Sequence, residues 1–458
     1  MQFSFANWIM NPFVLMMITV FLGMLFGKIK FGKFTFGVSG CLFVGLVIGW
    51  WVYRLANTFP KTEPGYKEAL QLIKSGVIDK GFFTLFLILF IAAVGLLAAK
   101  DIGVIIRKYG SKFVILGFLI TFVGAVATYG MALILPGINS YEVTGVYTGA
   151  LTSSPGLAAA LESARESSSQ LAENYDSLSE RKKQEILKAI DPLGRVKAKD
   201  AGFLTEEQKK QFVKSAEGGV GIGHSVGYPF GVLIVILAVN FLPIIFKIDV
   251  EKERAIFSRE INETRISNPI NRKQDTARFD LTAFIAACFL GYTFGRLKFN
   301  LGPLGYVGFG STGGVLIASL ILGHIGKIGF LNFRMDNKIL RVIRETSLAF
   351  FLAIIGLRYG FYAFAALSSG TGIYLVITSL VVSLITVIIG YLVGRYTFKL
   401  NWVMLAGALC GGMTSTPGLG AAIEAVGSDE PAAGYGAIYP FALLGMVIFS
   451  IILHNLPI

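Results

Sequence analysis

"GALTSSPGLAAALE" (Gly149–Glu162) and "GGMTSTPGLGAAIE" (Gly411–Glu424) agree at nine of fourteen positions within one chain of 458 residues. Both stretches lie in apolar surroundings, yet each centres on hydroxyl residues followed by Pro-Gly, a combination that interrupts a helix. In hydrocarbon every unpaired backbone N–H and C=O costs several kcal/mol. An interruption survives there only if it is buried in protein or lines a watery cavity. This chain keeps it twice.

The surroundings are those of a membrane. Hydrophobic residues make up 54% of the chain and charged residues 15%, with a mean hydropathy of +0.66. Soluble domains carry about 25% charged residues. Phe82–Ala99, Phe113–Leu135, Gly231–Phe246, Tyr374–Val393 and Ala432–Leu453 are apolar runs near or above the ~18 residues that span a bilayer. The 54 glycines suit closely packed membrane helices. The fold class read from this is an all-α polytopic membrane protein. The net charge of +13 is spread over loops, which fits anchoring at the cytoplasmic face and offers no nucleic-acid module. Cys41, Cys288 and Cys410 stand in apolar runs without CxxC spacing and read as small core residues. Asn11–Gly27 lacks a basic leader and a small-residue cleavage site, so it reads as a retained helix.

The duplication extends beyond the opening motif. "FLGMLFGKIKF" (Phe21–Phe31) returns as "FLGYTFGRLKF" (Phe289–Phe299), "FIAAVGL" (Phe90–Leu96) as "FLAIIGL" (Phe351–Leu357), and "YPF" occurs at Tyr228 and Tyr439. Thr152 and Thr414 stand 262 residues apart but Pro229 and Pro440 only 211, so the first half contains an insertion of 51 residues. It is the polar stretch Arg165–Ser215, read as a solvated helical hairpin outside the bilayer. The expected division is a first repeat over 1–246, a cytoplasmic linker over 247–278 and a second repeat over 279–458. The broken segments leave arms of about 10–14 residues, a length typical of re-entrant hairpins. Five spans per half then make the halves inverted. Inversion also gathers Lys28/Lys30/Lys33, Lys100–Lys112, Lys247–Arg278, Lys327–Arg344 and Arg395/Lys399 on one side, with both termini outside.

Inverted halves bring interrupted helices together near the bilayer midplane in secondary transporters, where half-helix N-termini point N–H groups and partial positive charge at the substrate. Pro155 and Pro417 would open the second arms, since proline suits the first helical turn. Ser153, Ser154, Ser415 and Thr416 precede or open them as caps or as hydroxyl ligands. The product is a small, uncharged, donor-rich pocket fit for a carboxylate, without metal-ligand clusters or a cofactor. Alanine at Ser153 or Ser415 is expected to leave no polar group unpaired.

The paired T-S-[ST]-P-G-L-x-A-A motifs, the G-[KR]-x-K-F ends and the duplicated halves resemble the aspartate:alanine exchanger family of bacterial secondary transporters. The resemblance covers nearly all of the apolar chain. It implies exchange of small amino acids or dicarboxylates, such as aspartate for alanine, or export of succinate, across a bacterial cytoplasmic (inner) membrane. It places binding roles on Thr152, Ser153, Ser154, Pro155 and Gly156, and on Thr414, Ser415, Thr416, Pro417 and Gly418. Many members carry soluble regulatory domains between the halves, whereas only Lys247–Arg278 stands there in this chain. A homodimer is the usual assembly for a two-domain transporter, and the implied partners are an anionic or zwitterionic small molecule and the lipid bilayer.

Other residues have two readings each. Arg358, whose first-half counterpart is Leu97, is a bidentate clamp for a carboxylate or an arginine snorkelling to the interface. Tyr228 and Tyr439 pack beside helix kinks or line the site. Glu162 and Glu424 close the second arms, either holding a neighbouring N–H or a coupling cation or standing as solvated arm ends, while Asp429 and Glu430 read as loop charges. His224 is a proton shuttle or a satisfied core histidine. Ion-coupled symport or export is the alternative to exchange. A channel ranks below both, because channels usually gain symmetry by assembling subunits around a pore. A membrane enzyme using Ser153 or Ser415 as nucleophile ranks below the channel, because no duplicated base accompanies those serines and no hydrolase motif adjoins them.

Overall fold

The structure is a computed structural model, and it describes residues 8–456 apart from 32–33, 64, 100–101, 136–138, 191–202, 268–277, 301–305 and 369. The side chains of Pro155 and Glu162, and parts of the insertion and of the linker, lie outside the described residues.

The chain is helical. The first half runs α1 (Pro12–Gly27), α2 (Gly40–Asn57), α3 (Tyr66–Ser75), α4 (Lys80–Ala98), α5 (Ile102–Ile134), α6 (Ser140–Ala150), α7 (Ser154–Glu173), α8 (Glu180–Ile190) and α9 (Glu206–Ile245). Linker helix α10 (Val250–Ser267) follows. The second half runs α11 (Leu281–Gly295), α12 (Gly310–Ile325), α13 (Asn337–Leu367), α14 (Gly370–Leu392), α15 (Trp402–Gly412), α16 (Thr416–Val426) and α17 (Pro431–Asn455). Polar caps set many starts: Asn11 accepts the N–H of Phe13 at α1, with Pro12 in the first turn, and Asp280 accepts that of Ala283 at α11.

Among the described residues, seven helices are long and apolar enough to cross a membrane, in Gly37–Asn57, Lys80–Ala98, Arg107–Ile134, Glu206–Ile245, Asn337–Leu367, Gly370–Thr397 and Pro431–His454. Helices α1, α11 and α12 are apolar but only 15–16 residues long, about 22–24 Å at 1.5 Å per residue.

The G-[KR]-x-K-F ends do not stay helical. Each turns into a two-stranded antiparallel hairpin, β1 (Lys30–Phe31) with β2 (Phe34–Thr35) and β3 (Lys298–Asn300) with β4 (Tyr306–Gly308). Glycine and β-capable aromatics at the ends of α1 and α11 favour that turn over another helical one.

Two bundles form, and each mixes the halves. In one, α2 lies along α13 and α12 along α4, while α4 also packs on α13; α1 and α11 flank this group through α2 and α12. In the other, α6 lies along α9 and α15 along α17, while α5 packs on α17 and α14 on α9. The largest apolar cluster runs through both, from Phe90 and Phe351 to Tyr439 and Met446.

The described residues of the insertion are mostly helical, but it does not begin where the hairpin arm was expected to end. Helix α7 continues past Glu162 to Glu173, so Glu162 closes nothing. Ala172, Tyr175, Ile186, Leu187, Leu204 and Phe212 give α7, α8 and the start of α9 an apolar cluster of their own. That cluster makes continuation of α7 worth its ordering cost.

Candidate functional site

The interrupted segments are two helical hairpins, α6 with α7 and α15 with α16, and their tips meet. The Thr152 hydroxyl donates to the carbonyl of Met413 at 3.1 Å, and the Thr414 hydroxyl donates to the carbonyl of Leu151 at 3.1 Å. Equivalent residues thus exchange equivalent bonds.

Each tip is built the same way. Ser153 N–H reaches the Thr148 carbonyl at 2.8 Å and Ser415 N–H the Cys410 carbonyl at 2.7 Å, closing the first arm with a six-residue bond that leaves the preceding threonine left-handed. Thr152 has φ +53° and Thr414 φ +50°. Glycine normally takes that place, and a β-branched residue there stores about 1–3 kcal/mol of strain. The hydroxyl bond across the tips requires the side chain that glycine lacks. The first arms also press on backbone. A Cβ at Gly149 would stand 2.7 Å from the His224 carbonyl oxygen, and one at Gly411 2.7 Å from that of Tyr435.

Of the two serine roles left open by sequence, the cap is the one observed. Ser153 Oγ accepts the N–H of Gly156 at 3.1 Å and Ser415 Oγ that of Gly418 at 3.2 Å. Alanine at either position would therefore strand a buried N–H, contrary to the expectation from sequence. A hydroxyl that accepts one bond still has its proton to donate. The N–H groups of Ser154 and Thr416, at the first positions of α7 and α16, meet no acceptor among the described residues. Thr152, Ser153, Gly156, Thr414, Ser415, Thr416, Pro417 and Gly418 are buried, whereas Ser154 is exposed. Thr416 Oγ1 lies 3.4 Å from the Tyr435 hydroxyl.

The remaining candidates fall around this centre at different distances from it. Tyr228 and Tyr439 are buried on α9 and α17, each beside an intrahelical proline. Tyr228 stacks on Tyr359 of α13 at 4.9 Å, joining the bundles, and Tyr439 stacks on Tyr435 at 5.3 Å. His224 Nδ1 lies 3.0 Å from the Thr148 hydroxyl. Arg358 is not brought to the tips: its guanidinium donates to the carbonyls of Ile78 and, at 3.2 Å, Ser75, in the turn after α3.

A cavity of about 620 Å³ opens between the bundles along α16. Its walls include Leu348 of α13, and Gly420 and Glu424 of α16, so it ends two residues beyond Gly418. The Glu424 carboxylate accepts the Val38 N–H at 3.2 and 3.3 Å, linking the second hairpin to the loop before α2. Asp429 is no plain loop charge. It accepts from Arg341 at 2.9 Å and also from Arg344, both on α13. Sequence offered no signal for that pairing, since the partners are 85 and 88 residues away.

Comparison with known proteins bears on what such a site does. Residues 15–244 and 283–455 match the profile of a family described as a predicted permease membrane region. The chain is 32% identical over 184 residues to an uncharacterized transporter of Bacteroides thetaiotaomicron, covering 40% of this chain and 34% of the relative. It is 34% identical over 186 residues to an uncharacterized transporter of Bacteroides fragilis, with 40% and 34% covered. A putative transport protein of Dichelobacter nodosus is 32% identical over 133 residues, with 29% and 24% covered. The matched stretch thus spans between about a quarter and about a third of the length of these curated relatives. No solved structure matches it.

Proposed function

The chain belongs to the family of predicted permease membrane regions and is a membrane transporter, and we propose that it works as an exchanger of small carboxylates by alternating access. The substrates in this reading are aspartate and alanine, or C4-dicarboxylates, and the membrane is a bacterial inner membrane. The observation that carries it is the tip-to-tip contact of the two hairpins through Thr152 and Thr414. That contact brings together the N-termini of α7 and α16, each with an unmet N–H and a serine proton. Two helix starts and two hydroxyls make a donor-rich, uncharged receptor for a carboxylate.

In the proposed cycle the substrate carboxylate replaces the bonds that the tips make with each other. The reciprocal bonds hold the tips together in the empty protein against the threonine strain, and a carboxylate accepting from both tips offsets their loss. The cavity along α16 is the approach from the linker side. We assign ten spans and two re-entrant hairpins to the chain, with inverted repeats over 1–246 and 279–458. Seven long helices and the short α1, α11 and α12 supply the ten spans. The linker 247–278 is then cytoplasmic, both termini are outside, and the protein works as a homodimer.

Proteoliposomes test the exchange. Labelled aspartate or succinate is expected to enter vesicles preloaded with a small carboxylate and to stay out of empty ones. Uptake into empty vesicles under a sodium or proton gradient would identify symport and overturn the exchange reading.

A further inference from the structure

The two hairpins are not held alike at their bases. Helix α6 is capped from within its own hairpin: Asn139 Oδ1 accepts the Glu142 N–H at 2.8 Å, and the Glu142 carboxylate accepts the Asn139 N–H at 3.4 Å. Helix α15 has its own cap in Asn401, which accepts the Val403 N–H at 2.9 Å. The Trp402 N–H, however, goes to the linker, donating to the Glu253 carboxylate of α10 at 2.7 Å. Both oxygens of that carboxylate also accept from Arg395, at 2.8 and 3.1 Å, in the turn that follows α14. The Glu253 backbone carbonyl takes the Asn401 side-chain N–H at 2.9 Å. The next residue, Arg254, lines the cavity beside Gly427, where α16 ends. One linker helix therefore touches both feet of the second hairpin.

We propose that Glu253 is a positioning residue for transport: through it, linker helix α10 seats the second hairpin against α13 and so sets access to the linker-side cavity. This rests on reading the hairpins as the elements that hold the substrate. Three features of the carboxylate support the role. It is 13% exposed, so water competes weakly for its bonds. It meets a helix N-terminus, where negative charge is favoured. It also takes a bidentate guanidinium, the most directional of ion pairs. Removing it strands the Trp402 N–H and leaves the Arg395 guanidinium only the Leu400 carbonyl, at 3.2 Å.

The test follows access to the cavity wall in the full chain in membranes. Ser428 lies in the loop between α16 and α17, lines the cavity, and keeps its hydroxyl oxygen buried without a partner. Cys41, Cys288 and Cys410 are buried, so the unsubstituted chain is the blank for a thiol reagent. Adding Glu253→Gln to Ser428→Cys is expected to raise the modification rate roughly tenfold or more, the scale of a lost charge-assisted bond. Arg395→Gln, which leaves Glu253 on the Trp402 N–H, is expected to raise it less. Ser168→Cys, at a buried position in the insertion, reports general loosening. A rise at Ser428→Cys alone supports the role; equal rises at both sites, or none, overturn it. If Glu253→Gln does not yield folded protein, Arg395→Gln makes the same comparison. Absent counterflow in the unsubstituted protein would remove the exchange reading, whereas an unmoved rate beside intact counterflow removes this one.

Discussion

Replacing Ser415 by alanine removes two different things at once, and they report on different assays. The first is the cap: Ser415 Oγ accepts the Gly418 N–H at 3.2 Å inside a fully buried tip. Loss of a serine cap costs about 1 kcal/mol of stability, within a range of ~0.5–2. The second is the hydroxyl proton, free in the empty site to meet a carboxylate. A bond from a neutral donor to a charged acceptor contributes ~1.5–3 kcal/mol, which weakens substrate binding roughly 10- to 150-fold. Ser153→Ala is expected to behave the same way, since Ser153 Oγ accepts the Gly156 N–H at 3.1 Å. Ser168→Ala is the control. Its hydroxyl is buried and donates to the Ala164 carbonyl at 2.6 Å, but it lies about 22 Å further along α7 at 1.5 Å per residue. It should lower stability and leave affinity alone. Equilibrium substrate binding and thermal unfolding of the same purified variants separate the effects. Lower stability with unchanged affinity in both tip variants would reduce the serines to caps and refute the binding role.

Other perturbations follow from the same geometry. Thr152→Val and Thr414→Val each delete one hydroxyl bond between the tips, costing about 0.6 kcal/mol and at most ~1.7. The double variant should cost less than the two together in thermal unfolding, because the first loss already parts the tips; strict additivity would mean that the tips are independent. Gly37→Ala places a Cβ on a left-handed residue (φ +50°) against the Glu424 carboxylate. It should destabilise by ~1–3 kcal/mol, and adding Glu424→Ala should recover the part due to the collision; no recovery would mean that only the backbone is strained. Single cysteines in 165–215 and 247–278 should react with an impermeant thiol reagent from opposite sides of the membrane. Reaction from one side contradicts the inverted assignment.

Much of this architecture is legible because duplication is a signal that one sequence carries by itself. The interrupted segments, the first apolar helix and the helical insertion all follow from apolar runs, Pro-Gly breaks and matched spacing. What sequence does not show is contact. The pairing of Thr152 with Met413 and Thr414 with Leu151 depends on two tips 262 residues apart meeting in space. Asp429 reads as a loop charge because its partners are on α13, and Arg358 reads as a clamp or a snorkelling arginine because nothing local announces the carbonyls of Ser75 and Ile78. Helix α7 overruns Glu162 for a similar reason: the apolar cluster that extends it is completed by α8 and α9. The short β-hairpins after α1 and α11 lie within motifs whose repetition was visible but whose conformation was not.

The central claim is that substrate is held where the hairpin tips meet, and its most direct test is protection of that place from chemistry. Ser154 opens α7, offers an unmet N–H and is exposed. A thiol reagent should modify Ser154→Cys readily in the empty protein. Saturating amounts of a carboxylate that exchanges in counterflow should slow that reaction by tenfold or more, while an anion that does not exchange should leave it unchanged. An equal rate with and without the transported carboxylate would contradict a substrate site at the tips.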